Sequence, residues 1–213
     1  MTVDTRRTIK RWRHALEALL PVAAIAAWTW LEPFGHSRIL DKVFAVFLGI
    51  ILLFVMWRDG FPTACEAGIA RHGQHMKAIA RSVLSVLPLI IILIVWAWLD
   101  KRLYVNIAIL RALVCYPIGA LVQEAAVFVY LLPRLEQAWG RQWGLCMTAI
   151  LFGALHLPNP LLTVGSILLV FILSWSWRRE RSLVALAVAH GLVGAVCNKA
   201  VHVSMRVGAR WFH

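Results

Sequence analysis

Three ionisable side chains stand inside runs that otherwise carry none. Glu124 lies within Ala120-Leu121-Val122-Gln123-Glu124-Ala125-Ala126-Val127-Phe128, too far from the polar end at Pro133-Arg134 for so short a side chain to snorkel out. His156 closes the run Thr148-Ala149-Ile150-Leu151-Phe152-Gly153-Ala154-Leu155, and His190 sits within Ala185-Leu186-Ala187-Val188-Ala189-His190-Gly191-Leu192-Val193. An ionisable group at mid-bilayer costs at least about 2.5–3.5 kcal/mol, so such residues face a partner or a water-filled cavity. Taken singly, the glutamate reads as interhelical packing glue and each histidine as a satisfied core or cap residue. On three separate helices that converge, each would lower the cost of burying the others. A carboxylate with an imidazole can hold and deprotonate a water for attack on an amide carbonyl, and a second imidazole can donate to the oxyanion that develops. That chemistry is hydrolysis without a covalent intermediate.

The elements that must position these groups follow from composition. Of 213 residues, 61% are hydrophobic and 15% charged, against about 45–50% and 25% in a soluble domain. The mean hydropathy is +0.75. The surplus comes as apolar runs long enough for a helix to cross about 30 Å of hydrocarbon. Soluble enzyme folds are thereby excluded, and the sequence predicts an all-α, polytopic helix bundle of about seven spans in one integral-membrane domain, 1–213. The spans fall near 15–30, 43–57, 83–99, 107–133, 143–157, 160–177 and 183–203, with the chemistry-bearing core at 107–203. They are punctuated at Glu32-Pro33-Phe34-Gly35, the segment Arg58 to Arg81, Asp100-Lys101-Arg102, Gln137 to Gly140, Pro158-Asn159-Pro160 and Arg178-Arg179-Glu180-Arg181. The Arg58 to Arg81 segment, with Arg71, His72, His75, Lys77 and Arg81, could lie as an amphipathic helix on the headgroups. The basic segment 1–14 precedes an apolar run too long and too rich in tryptophan to read as a cleaved signal peptide.

A net charge of +12 is distributed in short clusters between the spans, where positive-inside topology and anionic lipid account for it, so no nucleic-acid partner is expected. With the N-terminus inside, fourteen Lys and Arg lie on the cytoplasmic side and eight on the other side or in the last helix, which predicts a cytoplasmic N-terminus. The compact chain is expected in a prokaryotic plasma membrane. Cys65, Cys115, Cys146 and Cys197 form no CxxC pair and read as small hydrophobes. At 1.5 Å per residue, Glu124 is about 13 Å and His190 about 10 Å from the inner ends of their helices, and His156 about 20 Å from the start of its own. Gly119, Ala120, Ala125, Ala126, Gly153, Ala154, Gly191 and Gly194 would let these helices approach closely.

These residues resemble the CAAX prenyl protease and bacteriocin-processing group of intramembrane proteases, also called the Abi family, whose motifs are Glu-Glu-x-x-x-Arg on one helix, Phe-x-x-x-His on the next and His-x-x-x-Asn on a later one. Phe152-Gly153-Ala154-Leu155-His156, followed by Leu157-Pro158-Asn159, fits the second motif. Ala189-His190-Gly191 fits the start of the third, and Gln123-Glu124-Ala125-Ala126-Val127-Phe128 the first, with one carboxylate in place of two: in one register Gln123 replaces the first Glu, in the other Ala125 replaces the second. The family arginine is absent, and Gly194 stands where the third motif has Asn; Asn198, eight residues past His190, is about 80° away around the helix. The match spans roughly Val122 to Asn198. It implies an intramembrane endopeptidase of the glutamic type, in which Glu124 and His156 activate water and His190 stabilises the oxyanion, with Gln123, Asn159 and Asn198 as weaker supporting candidates. The implied substrate is a membrane-associated protein or peptide. The group has also been described as metalloproteases, and two histidines with one glutamate could ligate zinc; without a His-Glu-x-x-His helix, no cofactor is expected.

Other classes fit the residues less well. A non-catalytic member of the same fold, acting in bacteriocin immunity or as a scaffold, would account for the missing carboxylate and arginine. A haem-binding bundle would use the histidines and leave Glu124 unexplained. A transporter would use Arg111, but no inverted repeat or pair of broken helices supports it.

Overall fold

The structure is a computed structural model, and it describes residues 3–31, 38–69, 75–103, 107–199, 201 and 203–212. The described residues form helices joined by short turns and loops, with no strand. In chain order they form α1 (Val3–Leu31), α2 (Arg38–Asp59), α3 (His75–Leu99), α4 (Ala108–Glu124), a π-helical stretch Ala125–Leu131, α5 (Leu132–Trp139), α6 (Arg141–Ala154), α7 (Pro160–Glu180), α8 (Leu183–Lys199) and a 3₁₀ turn Gly208–Phe212. Because α4, the π-helical stretch and α5 run on as one rod, the helices amount to seven rods, in line with the seven expected spans. Five are long and apolar enough to cross a membrane: 8–31, 39–59, 75–99, 108–139 and 160–180. The other two, α6 with 14 residues and α8 with 17, are shorter.

The punctuation has local causes. Gly140, at φ +83°, ends α5 and lets α6 start one residue later. Asn159 caps α7, its side-chain oxygen accepting from the Leu162 N–H at 3.2 Å, and Pro160 takes the first helical position, where its missing N–H is harmless. Arg181 closes α7 in the left-handed conformation at φ 46°. The expected break at Glu32–Gly35 lies outside the described residues, as do Arg71 and His72. The segment 58–81 is not a single interfacial helix: α2 runs to Asp59, residues 60–69 form a turn, and His75, Lys77 and Arg81 belong to the start of α3. That turn is tucked under α8, with the Leu183 N–H donating to the Gly68 carbonyl at 3.1 Å.

The core gathers around α8, which packs chiefly against α4 and α3, while α6 lies between α5 and α7 and α1 packs on α5. One face of α3 is buried at Ser82, Val86, Ile90, Leu93 and Ala97, the three-and-four spacing of a helix stripe. Its one polar member is satisfied across the bundle, Ser82 Oγ lying 2.6 Å from Ser176 Oγ of α7. Peripheral α2 keeps Val43, Phe47, Ile50, Phe54 and Trp57 on the surface, as a lipid-facing helix must, because lipid tails are as apolar as its side chains. It is held to α1 by Trp28, which stacks on Phe44 at 4.4 Å and donates to Asp41 at 3.0 Å.

Candidate active site

The contact between α4 and α8 is set by glycine and proline. A Cβ on Gly191 would sit 2.5 Å from the backbone nitrogen of Pro117, and one on Gly194 would sit 2.7 Å from the Tyr116 ring. Absent side chains therefore let the two backbones approach. Gly153 does the same between α6 and α7, where a Cβ would meet Ile167 at 2.4 Å. Gly119 differs from the expectation, since a Cβ there would meet nothing within 4 Å.

This approach joins two of the three ionisable groups. Glu124, the last residue of α4, is 2% exposed. Its Oε1 accepts from His190 Nδ1 at 2.5 Å, while its Oε2 is buried with no hydrogen-bond partner. The π-helical stretch begins at the next residue and closes with the Leu132 N–H donating to the Val127 carbonyl, five residues back. Pro133 follows, with no N–H and a ring that crowds the preceding turn, so the wider π turn relieves a clash an α-helix would suffer. The same widening re-registers the rod beyond Glu124.

His156 stands in the turn after α6. Its Nδ1 lies 2.8 Å from the Phe152 carbonyl, which can only accept, so the proton is on Nδ1 and Nε2 of the neutral ring carries a lone pair. The Phe152 ring lies edge-on to both imidazoles, with centroids 5.0 Å from His156 and 6.2 Å from His190. Both histidines line one cavity of about 710 Å³, together with Gln123, Tyr116, Cys197 and Met205. Because His190 spends Nδ1 on Glu124, its Nε2 is the nitrogen left for that cavity. Glu124 is not part of the lining and acts on the cavity only through His190.

The supporting candidates are placed differently. Gln123 lines the cavity. Asn159, 1% exposed, has its amide engaged: Oδ1 caps α7, and Nδ2 donates to the Ser204 carbonyl at 2.7 Å and the Arg206 carbonyl at 3.4 Å. Asn198 lines a separate cavity of about 510 Å³ beside the C-terminal segment. Tyr116, Cys197 and Met205 carry no signal in the sequence that marks them as cavity residues. Tyr116 and Cys197 belong to apolar runs, and Met205 reaches the cavity only because Asn159 holds the backbone on either side of it.

As a zinc site the constellation offers two ligand atoms on the cavity, Nε2 of His156 and Nε2 of His190, while Glu124 Oε1 is taken by His190 Nδ1 and Glu124 is not on the cavity wall. Among the described residues no group of three His, Cys, Asp or Glu side chains is disposed to hold a metal ion.

The model of the family described as "Rce1-like: Type II CAAX prenyl endopeptidase Rce1-like" matches residues 105–196. The matched stretch contains Glu124, His156 and His190, so the resemblance carried by the motifs holds, and α1 to α3 lie outside it. No curated protein and no solved structure matches the chain.

Proposed function

We propose that this integral membrane protein, whose residues 105–196 match the Rce1-like family of CAAX prenyl endopeptidases, hydrolyses a peptide bond of a membrane-associated protein or peptide by attack of a water activated at His190. The observation that carries the reading is the 2.5 Å contact between Glu124 and His190, beside a cavity that His190 shares with His156. A carboxylate on Nδ1 holds the imidazole in one tautomer, directs the Nε2 lone pair into the cavity and stabilises the imidazolium that forms there. His190 Nε2 takes a proton from the water as its oxygen bonds to the substrate carbonyl carbon. The same proton then passes to the amide nitrogen as the C–N bond breaks, leaving a carboxylate and an amine. His156 Nε2, an acceptor, orients the water through its second hydrogen. The Gln123 amide supplies N–H donors to the oxyanion.

This division of labour differs from the one the family resemblance implies, in which Glu124 and His156 act on water and His190 on the oxyanion. The difference rests on Glu124 lying behind His190 instead of on the cavity wall. No metal enters the scheme. The charge bias of fourteen against eight supports a cytoplasmic N-terminus.

The test is cleavage of a prenylated CAAX reporter peptide by the purified chain in liposomes, with the products identified by mass spectrometry. Wild type cleaves, and Glu124→Gln and His156→Ala lose most of the activity. A second reading has one observation in its favour: an amide, Gln123, faces the cavity where the family motif offers a carboxylate in one register. On that reading the chain is a non-catalytic scaffold or immunity protein. If both variants match wild type in cleavage or in complementation of a deletion strain, the catalytic reading fails and the scaffold reading stands.

A further inference from the structure

A further cavity, of about 470 Å³, lies along the rod beyond Glu124, from Phe128 to Gln137, beside Lys10, Arg13 and His14 of α1, the end of α2 and Arg181 at the close of α7. Its floor is a charge network. The Glu17 carboxylate is met by Arg13 at 2.7 Å and Arg58 at 2.5 Å, and Asp59 by Arg13 at 2.7 Å, Arg58 at 3.0 Å and Arg134 at 3.0 Å. Arg134, 9% exposed, is held in place by the Tyr130 ring 4.0 Å beneath its guanidinium, and the Tyr130 hydroxyl donates to the Glu17 carbonyl at 2.9 Å. Three arginines thus share two carboxylates and leave positive charge over.

More charge stands at the rim. Lys10 and Arg181 line the cavity, and among the described residues neither makes an ion pair within 4.0 Å; Arg181 acts on Glu66 and Glu136 through space and lies 5.4 Å over the Trp177 ring. Glu66 is the rim's one acid, and Thr63 already donates to it from both backbone and hydroxyl, at 2.8 and 2.9 Å. Those hydrogen bonds hold its pKa below the ordinary carboxylate range. Several buried polar atoms have no hydrogen-bond partner: Nε of Arg134, both ring nitrogens of His14, and Oε2 of Glu17. The nearest carboxylate oxygen to His14 Nδ1 is that Glu17 Oε2, at 3.9 Å, and Arg134 Nε is 3.7 Å from the same atom. Those loosely matched atoms face one another inside the network; what the protein leaves without a counter-charge is the surplus of the three arginines together with Lys10 and Arg181 in the cavity lining. A phosphoryl group, with anionic oxygens that accept from several guanidinium and ammonium donors at once, meets the requirement.

The surroundings select the source of that group. On α1, Lys10, Arg13, His14 and Glu17 form the stripe toward the network, and the adjacent stripe, Ile9, Trp12 and Leu16, is 53%, 63% and 55% exposed. An apolar strip beside a cationic cavity at the end of a membrane bundle suits acyl chains below a headgroup. We propose that this cavity binds the phosphate of an anionic phospholipid, with Lys10, Arg134 and Arg181 as its principal contacts. The site would bridge α1 and α2, outside the family match, to α5 and α7 inside it, so bound lipid would fasten the two parts together.

The full chain, purified in detergent, is melted while its tryptophan fluorescence is followed, with phosphatidylglycerol, phosphatidylcholine or inorganic phosphate added. The expected result is a saturable rise in melting temperature with phosphatidylglycerol and none with phosphatidylcholine. Lys10→Ala combined with Arg181→Asn, which keeps a residue tolerant of the left-handed backbone, should move half-saturation at least tenfold. Lys77→Ala, outside the cavity, should leave it unchanged. Lys10→Ala alone, on an exposed residue, gives a smaller shift in the same direction and serves if the double variant is unstable. Equal responses to the two lipids, or an unaltered phosphatidylglycerol response in the variants, would overturn the proposal. A rise with inorganic phosphate alone equal to that with phosphatidylglycerol would overturn the lipid assignment in favour of a free anion.

Discussion

Replacing Gly191 by alanine adds one carbon where two helices touch. The new Cβ would lie 2.5 Å from the Pro117 nitrogen and 2.6 Å from its Cα and Cγ, whereas ordinary contact begins at 3.4 Å. The obstruction is backbone and a proline ring, so no flexible side chain can turn away. The helices α4 and α8 must part by about 1 Å, a strain of about 1–3 kcal/mol for an overpacked core. Glu124 and His190 sit on those same two helices, and their 2.5 Å contact would stretch beyond hydrogen-bonding length. A misplacement of about 1 Å in a catalytic constellation costs about 10²-fold in rate. The assay is cleavage of the prenylated reporter in liposomes, paired with thermal unfolding in detergent. Gly49→Ala on α2, where a Cβ meets nothing within 4 Å, is the control and should retain both rate and stability. If Gly191→Ala cleaved at the wild-type rate with unchanged melting, the claim that helix approach creates the Glu124–His190 pair would be wrong.

Further outcomes follow from the same geometry. Glu124→Gln removes the carboxylate that fixes the His190 tautomer and should lower kcat by about 10⁴-fold, the scale of a lost triad carboxylate, with little change in KM. Gln123→Ala should lower kcat by about 10²–10³-fold if its amide serves the oxyanion, and an unchanged rate would remove it from the mechanism. Ser82→Ala leaves the Ser176 hydroxyl buried and unpaired, at a cost of about 1–3 kcal/mol, whereas replacing both serines by alanine should cost less than the single change; denaturant unfolding of the three variants reads the difference. Cleavage should persist after treatment with a chelator and removal of the chelated metal, and a loss restored by added zinc would refute the metal-free scheme.

The parts of this molecule that could be read from the sequence are those governed by neighbours along the chain. Glu124, His156 and His190 announce themselves by ionisable chemistry in apolar runs, and the rods are delimited by Gly140, Pro160 and clusters of charge. Asn159 could have been read further, because Asn before Pro at a helix start is a capping pattern; its amide is engaged in that cap and in the C-terminal carbonyls. What escaped depends on contacts between distant elements. That Glu124 faces His190 and not the cavity follows from the approach of Gly191 to Pro117, which the list of small residues allows without selecting. The network of Glu17, Asp59 and Arg134 joins side chains on α1, α2 and α5, so no local window holds it.

The short helices bear on how water arrives. At 1.5 Å per residue the 14 residues of α6 extend about 21 Å, well under the hydrocarbon thickness of about 30 Å. A bilayer beside so short a rod would have to thin to keep its ends wet. His156 is two residues past the end of α6. On the proposed mechanism the attacking water would then have a shallow trip at this flank, and a thicker, sterol-rich membrane should slow turnover by opposing that thinning.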